Sequence, residues 1–224
     1  LPKLLVPNSS QRKAVLVITG DRGLCGGFNA NILKKTRQYL SGQMSSDVDL
    51  YLFGNKGISA FKNKGYTIKK TFPNYIDDLN EESVYSLVES LVKLYQDNEY
   101  GEIVLFYNEF ISAMSNNQKE QQVLPIKLND WTPKSKVTQS DFFYEPDKET
   151  TLEQFLTKYL TYTLYQAFLD SQASEEGSRM AAMDSASENA AEFIYDLSLI
   201  YNRTRQASIT KEISEIVAGA ASSS

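Results

Sequence analysis

The sequence predicts an α/β fold: a mostly parallel sheet with flanking helices, then one long C-terminal coiled-coil helix. Residues 14–19 (AVLVIT) form a continuous apolar, β-branched run, the pattern of a strand buried on both faces of a parallel sheet. Strand-like and helix-like stretches alternate behind it. Residues 151–218 then hold no proline and one glycine, Gly177. They carry a stripe spaced alternately three and four apart: Met180, Met183, Ser187, Ala190, Ile194, Leu197, Tyr201, Thr204 and Ser208. That alternation averages about 3.5 residues and keeps one seam of a helix turned toward a partner.

Taken in order, the strand at 14–19 runs into a glycine-rich turn at 20–29 and a helix at 30–40 whose inner face is Ile32, Leu33 and Leu40. A second strand is expected at 48–53, a short helix at 56–64 and a strand at 66–70. Residues 81–97 repeat the amphipathic helical pattern with Val84, Leu87, Val88, Leu91, Val92, Leu94 and Tyr95. A strand at 103–107 continues into 109–114, and 121–128 reads as an edge strand because Pro125 has no N–H for a central ladder. Residues 129–140 read as a loop and 141–144 as a last strand. Asp147 is the expected N-cap of the long helix, with Glu149 and Thr150 in its first turn. The division expected is residues 1–146 as an α/β, Rossmann-like domain and residues 147–224 as the long helix.

An uninterrupted helix over this stretch would be about 100 Å long at 1.5 Å per residue, against a radius of gyration of roughly 17 Å for a compact chain of this size. Nothing in residues 1–150 reads as a second long helix to cover the seam, so its cover is expected to come from elsewhere. The rival geometry is a break at Gly177 that folds the helix back as a hairpin, with residues 152–168 covering 180–208. A lone glycine costs about 1 kcal/mol in a helix, and Glu175, Glu176, Ser178 and Arg179 around it carry no turn chemistry, which favours the straight helix.

Composition narrows the function. The signs balance over residues 1–150, so the net charge of −5 falls on residues 151–224. An acidic helix repels phosphate backbones and anionic membrane surfaces, so no nucleic-acid partner is expected. No run reaches the roughly 18 apolar residues of a membrane span. The chain has no histidine and a single cysteine, Cys25, which removes the commonest general base and any internal disulfide. It opens at Leu1 with an apolar stretch too short for a signal peptide, so a leader or a longer N-terminal segment is expected to have been removed or to lie outside the numbering.

The turn at 20–29, from Gly20 to Asn29, sits where α/β proteins cradle phosphate. Its glycines, at 20, 23, 26 and 27, match neither the dinucleotide fingerprint nor a P-loop, and a tight packing turn is the simpler reading. Cys25 is expected to be a small packed side chain. Tyr159, Tyr162 and Tyr165 are expected to pack the helix base on the α/β domain. The seam past the methionines is small and polar, and alone would hold a partner weakly. Arg203, Arg205 and Lys211 lie near the helix end, and Ile209, Ile213, Ile216, Val217 and Ala218 form an apolar tip expected to be buried in a partner.

Two stretches carry a family resemblance: 19–29 (TGDRGLCGGFN), and the C-terminal motifs 173–183 (ASEEGSRMAAM), 201–210 (YNRTRQASIT) and 215–219 (EIVAG). In them, and in the order of elements between them, the chain resembles the gamma subunit of F-type ATP synthases. The resemblance implies a non-catalytic rotor subunit of the central stalk, without cofactor. Its α/β domain would lie near the membrane c-ring and its helix would rise into the alpha and beta subunits, coupling proton flow to ATP synthesis. It also implies contact with an epsilon, or delta-equivalent, subunit, and a peripheral place on an energy-transducing membrane: bacterial plasma, mitochondrial inner or thylakoid. Carried onto this sequence, Arg205, Gln206 and Thr210 would face beta-subunit loops, with Arg203 beside them, and Ile209, Ile213, Ile216 and Val217 would sit in a bearing.

Family members pair the C-terminal helix with a long N-terminal one, and this numbering starts after it. The expectation is therefore a fragment, a cleaved chain or a helix outside the numbering, which by itself does not transmit torque. The cysteine-bearing regulatory insertion of chloroplast homologues has no counterpart here, so thiol switching by that route is not expected. Two other readings stand beside the rotor: a coiled-coil adaptor with an α/β domain, and a nucleotide-binding enzyme using the Gly20 to Asn29 loop.

Overall fold

Alternate residues of the first strand face opposite sides of the sheet, and each side has its own core. β1 (Lys13–Ile18) sends Ala14, Leu16 and Ile18 into one cluster and Val15 and Val17 into the other, all fully buried. The chain is described by a computed structural model over residues 2–127 and 147–221. After β1 come α1 (Phe28–Ser41), β2 (Val48–Phe53), α2 (Asn55–Phe61), β3 (Thr67–Phe72), α3 (Glu81–Gln96), β4 (Glu102–Ser112), β5 (Ser115–Leu124) and α4 (Lys148–Ala221). Two compact units divide it, Leu1–Ala181 and Ala182–Ser224.

In the first unit the strand order is β3-β2-β1-β4-β5. The first four strands are parallel, with Val15 opposite Leu50 and Val104, and β5 pairs antiparallel with β4 as a hairpin. One side of the sheet is covered by α1 and α2 through Ile32, Leu33, Leu40 and Phe61. The other is covered by α3 through Val84, Leu87, Val88, Leu91, Val92 and Tyr95, and by the start of α4. α3 starts where Asn80 and Ser83 exchange side-chain and backbone hydrogen bonds, a capping box that satisfies donors otherwise orphaned.

Sequence expectations and structure differ mainly at strand ends. β3 runs to Phe72, whose ring stacks on Phe53 of β2 at 4.4 Å. β5 begins at Ser115, six residues before the expected start, because all of it before Val123 is polar and is held by pairing with β4 rather than by an apolar pattern. It is an edge strand, as read, and ends one residue before Pro125. The loop at 129–140 and the strand at 141–144 lie outside the described residues.

α4 starts as expected: Asp147 accepts hydrogen bonds from the Thr150 N–H and hydroxyl, at 2.9 and 2.8 Å, which hold its carboxyl below the usual range. Leu156, Leu160, Leu164, Ala167, Phe168, Ser171, Ser174 and Glu175 form a buried stripe at helical spacing against the sheet. Tyr159 and Tyr165 pack beside that stripe, whereas Tyr162 is exposed. A step of three residues turns the helix by about 300°, so three such tyrosines fan out rather than share a face.

The hairpin at Gly177 is not formed, since the helix runs through it. Gly177 instead sits where a Cβ would lie 2.7 Å from the Ala113 carbonyl oxygen, in the turn between β4 and β5. The glycine is a close-packing point of the helix, not its end.

Candidate partner-binding helix

Within the second unit every described side chain from Met183 to Ala221 is exposed. Among them are Phe193, Ile194, Tyr195, Leu197, Leu199, Ile200 and Tyr201, each 52–69% exposed. At about 100° per residue these seven point around the full circumference of the helix. A helix apolar all round is one that is enclosed, because no orientation against a single surface covers it.

Further along, the eight residues expected to meet partners fall into one arrangement. The same step of about 100° places Arg205, Ile216, Ile209, Ile213, Gln206, Val217, Thr210 and Arg203 within an arc of about 160°. The cations and polar groups lie on its two borders and toward its start, and the apolar side chains run through its middle to the tip. Ile209, Ile213, Ile216 and Val217 are 47–71% exposed. Neither Arg203 nor Arg205 has an ion pair among the described residues, so both guanidinium groups are presented outward. The seam of residues 180–208 is centred about 130° away, so the helix offers two faces rather than one. Its members Met180, Met183, Ile194, Leu197 and Tyr201 are all exposed.

The glycine-rich turn has a different surrounding. The strand order reverses direction at β1, whose neighbours are β2 and β4, and the carboxyl end of such a point is where open α/β sheets bind ligands. Here α4 fills that crevice. A Cβ on Gly20 would lie 2.6–2.8 Å from the Glu175 carboxylate, and the Ser174 hydroxyl donates to the Asn108 carbonyl at 3.3 Å. Asn29 holds the turn from inside, accepting the Gly20 N–H at 2.8 Å. Asp21 accepts from the Asn55 and Asn74 backbone N–H groups at 2.8 and 2.9 Å. Cys25 is buried beside Asn29, and burial pushes its thiol up, the opposite of what a nucleophile needs. A nucleotide would find its seat taken by the chain's own helix.

Among the described residues no cluster of carboxylates and cysteine has metal-ligand geometry, and no helix is long and apolar enough to cross a membrane. The placement of Glu175 on Gly20 escapes sequence reasoning, because the two lie far apart along the chain and neither residue type announces the other. The buried Ser171-Ser174-Glu175 continuation of an apolar stripe was the available signal.

These features define a class: an α/β body bearing a long helix whose far part is built to be enclosed by other chains. A family model described as ATP synthase matches residues 2–222. The ATP synthase gamma chain of Chlorobaculum parvum is 39% identical over 226 residues, covering 98% of this chain and 77% of that protein. That of Staphylococcus aureus is 39% identical over 220 residues, covering 97% and 76%. Among solved structures, a Tetrahymena thermophila mitochondrial ATP synthase central stalk and c-ring gives a TM-score of 0.63 at 27% identity, over 81% of this chain and 79% of that one. A Euglena gracilis mitochondrial ATP synthase rotor has the same fold, with a TM-score of 0.66 at 20% identity over 92% and 81%. The chain belongs to the ATP synthase gamma chain family, and so to a subunit of a membrane-associated complex.

Proposed function

We propose that this chain is the central-stalk rotor subunit of an F-type ATP synthase, coupling proton translocation through the c-ring to ATP synthesis in the alpha and beta subunits. The observation that carries the reading is the run from Phe193 to Tyr201, apolar around the whole helix and exposed in the chain by itself. Such a surface is stable in water only inside a sleeve of other subunits. Residues 1–146 are the α/β body, which meets the c-ring and an epsilon, or delta-equivalent, subunit, and residues 147–224 are the helix of the stalk. The complex sits on an energy-transducing membrane, with this chain peripheral to it.

Within the sleeve, Arg203, Arg205, Gln206 and Thr210 meet polar, acidic or carbonyl-bearing loops of the beta subunits, and Ile209, Ile213, Ile216 and Val217 turn in an apolar bearing. A short, strongly directional set of donors beside a non-directional apolar face suits a shaft: the donors read angular position, while the apolar tip tolerates rotation. The chain supplies no catalytic group of its own in this reading. Nucleotide chemistry belongs to the surrounding subunits, which the asymmetric shaft drives through their conformations.

The test is the native complex isolated without crosslinking, with the Arg205→Ala, Gln206→Ala double variant beside wild type. Alpha, beta and c subunits should accompany the chain, and the variant should lose ATP synthesis or assembly while its α/β body melts normally. Undiminished synthesis by a fully assembled variant would remove those two residues from the coupling path.

A further inference from the structure

Two motifs that the rotor reading leaves without a task meet in the first unit: the turn at 20–29 and the segment of α4 at 174–179. Over those six residues the helix is fixed to four separate parts of the body. Ser174 bonds to Asn108 of β4. Glu175 lies on Gly20, in the turn after β1. Gly177 rests on the Ala113 carbonyl in the β4–β5 turn. Ser178 accepts a hydrogen bond from Asn116 of β5 at 2.9 Å. Arg179 closes the set, its guanidinium reaching Glu175 at 2.5 Å and Glu176 at 2.6 Å.

Earlier in α4 the helix is held by leucines and Phe168, contacts that are strong but non-directional. Such contacts hold the helix against the sheet and oppose a large roll, which would expose them, but a non-directional contact leaves small angular excursions comparatively soft. Stiffness against small rolls is added by short, directional or steric fixings, and these are concentrated between Ser174 and Arg179. Glu175 is the centre of them, since its side chain is 6% exposed and has the bare Gly20 backbone under it and Arg179 over it. A buried ion pair is weak evidence for stability but does fix geometry.

We propose that Glu175 is a positioning residue, a torque key seated on Gly20 and pinned by Arg179, which prevents α4 from rolling on the sheet and so passes rotation between the α/β body and the shaft helix. The key rests on the rotor reading. Its test uses the immobilised native complex with a bead on the α/β body, reading torsional stiffness from the bead's angular fluctuations and rotation on adding ATP. Removing one of these four fixings, with Ser174 on Asn108, Gly177 on Ala113 and Asn116 on Ser178 left in place, should lower the stiffness by roughly a quarter in Glu175→Ala, at equal content of assembled complex. Glu175→Gln, which keeps the shape and can still accept from Arg179, should restore most of it. Should Glu175→Ala fail to assemble, Arg179→Ala, which unpins the carboxylate and leaves it seated, should give the same softening.

A purely structural role would lower the yield of complex without softening what assembles. Unchanged stiffness in variants that rotate would overturn the key and leave the rotor reading intact. A wild-type body that stays still while ATP is hydrolysed would overturn both.

Discussion

Gly177→Ala sets two effects of known sign against each other at one position. In an exposed helix the change stabilises by about 1 kcal/mol, because alanine loses less backbone freedom and has the higher helix propensity. At Gly177 the new methyl would lie 2.7 Å from the Ala113 carbonyl oxygen and 3.0 Å from its Cα, both backbone atoms that cannot rotate aside. Relieving an overlap of this kind shifts the hairpin turn or the helix, and overpacking typically costs about 1–3 kcal/mol. With the contact this short the upper part of that range applies, and the net loss is about 1–2 kcal/mol after the propensity gain. For a chain of this length each kcal/mol moves the melting temperature by roughly 2–4 °C, so a fall of about 2–8 °C is expected by circular dichroism. Gly219→Ala is the control: its Cβ would meet nothing within 4 Å, so its melting temperature should hold or rise. If Gly177→Ala rises with it, α4 is not packed on the β4–β5 turn and the clamp at 174–179 is wrong.

Ile213→Asp should leave the isolated chain within about 0.5 kcal/mol of wild type, since Ile213 is 55% exposed there. In the complex it should weaken retention by tenfold or more, because burying an isoleucine is worth about 1.5–3 kcal/mol, as measured by recovery of the chain after dilution. Glu175 gives a pH prediction. Burial raises its pKa, with Arg179 pulling the other way. Between the unfolded and the folded pKa the folded chain holds a proton that the unfolded chain has released, so this contribution to stability is present below the unfolded pKa and is lost as pH rises through the folded one. From about pH 4.3 toward neutral, wild type should therefore lose melting temperature relative to Glu175→Gln, and parallel curves would contradict the burial of this carboxylate. Asp49, 1% exposed, accepts from Arg12 and from the Tyr100 hydroxyl, each at 2.7 Å. Asp49→Ala leaves that buried hydroxyl only the long contact to the Tyr51 hydroxyl at 3.4 Å, and a loss of about 2–4 kcal/mol should appear in urea unfolding.

Much of the body was legible because its signals are local. The AVLVIT run, the glycine after it and the spacing of Val84, Leu87, Val88, Leu91, Val92 and Tyr95 each give their element within one window of sequence. β2 falls at 48–53 as read, bounded on its far side by Gly54. β5 was half hidden, since Ser115 to Gln122 carry no apolar alternation and become a strand through backbone pairing with β4. Gly177 was legible as an anomaly but not in its meaning, which depends on Ala113 in a distant turn. The same holds for Gly20 and Glu175: a close approach between remote segments leaves only the absence of a side chain as its trace. On the helix, by contrast, the stripe at 180–208 was legible from spacing, because a lone helix places its side chains by arithmetic, whereas Arg205, Gln206 and Thr210 were assigned to beta-subunit loops by the resemblance alone.

The most direct measurement is rotation of the body itself. With the alpha and beta subunits fixed to a surface, a bead is attached through Met44→Cys, a position 74% exposed between α1 and β2. On addition of ATP the bead should turn continuously in one direction. A bead that stays fixed relative to the alpha and beta subunits while ATP is hydrolysed at the normal rate would contradict the account.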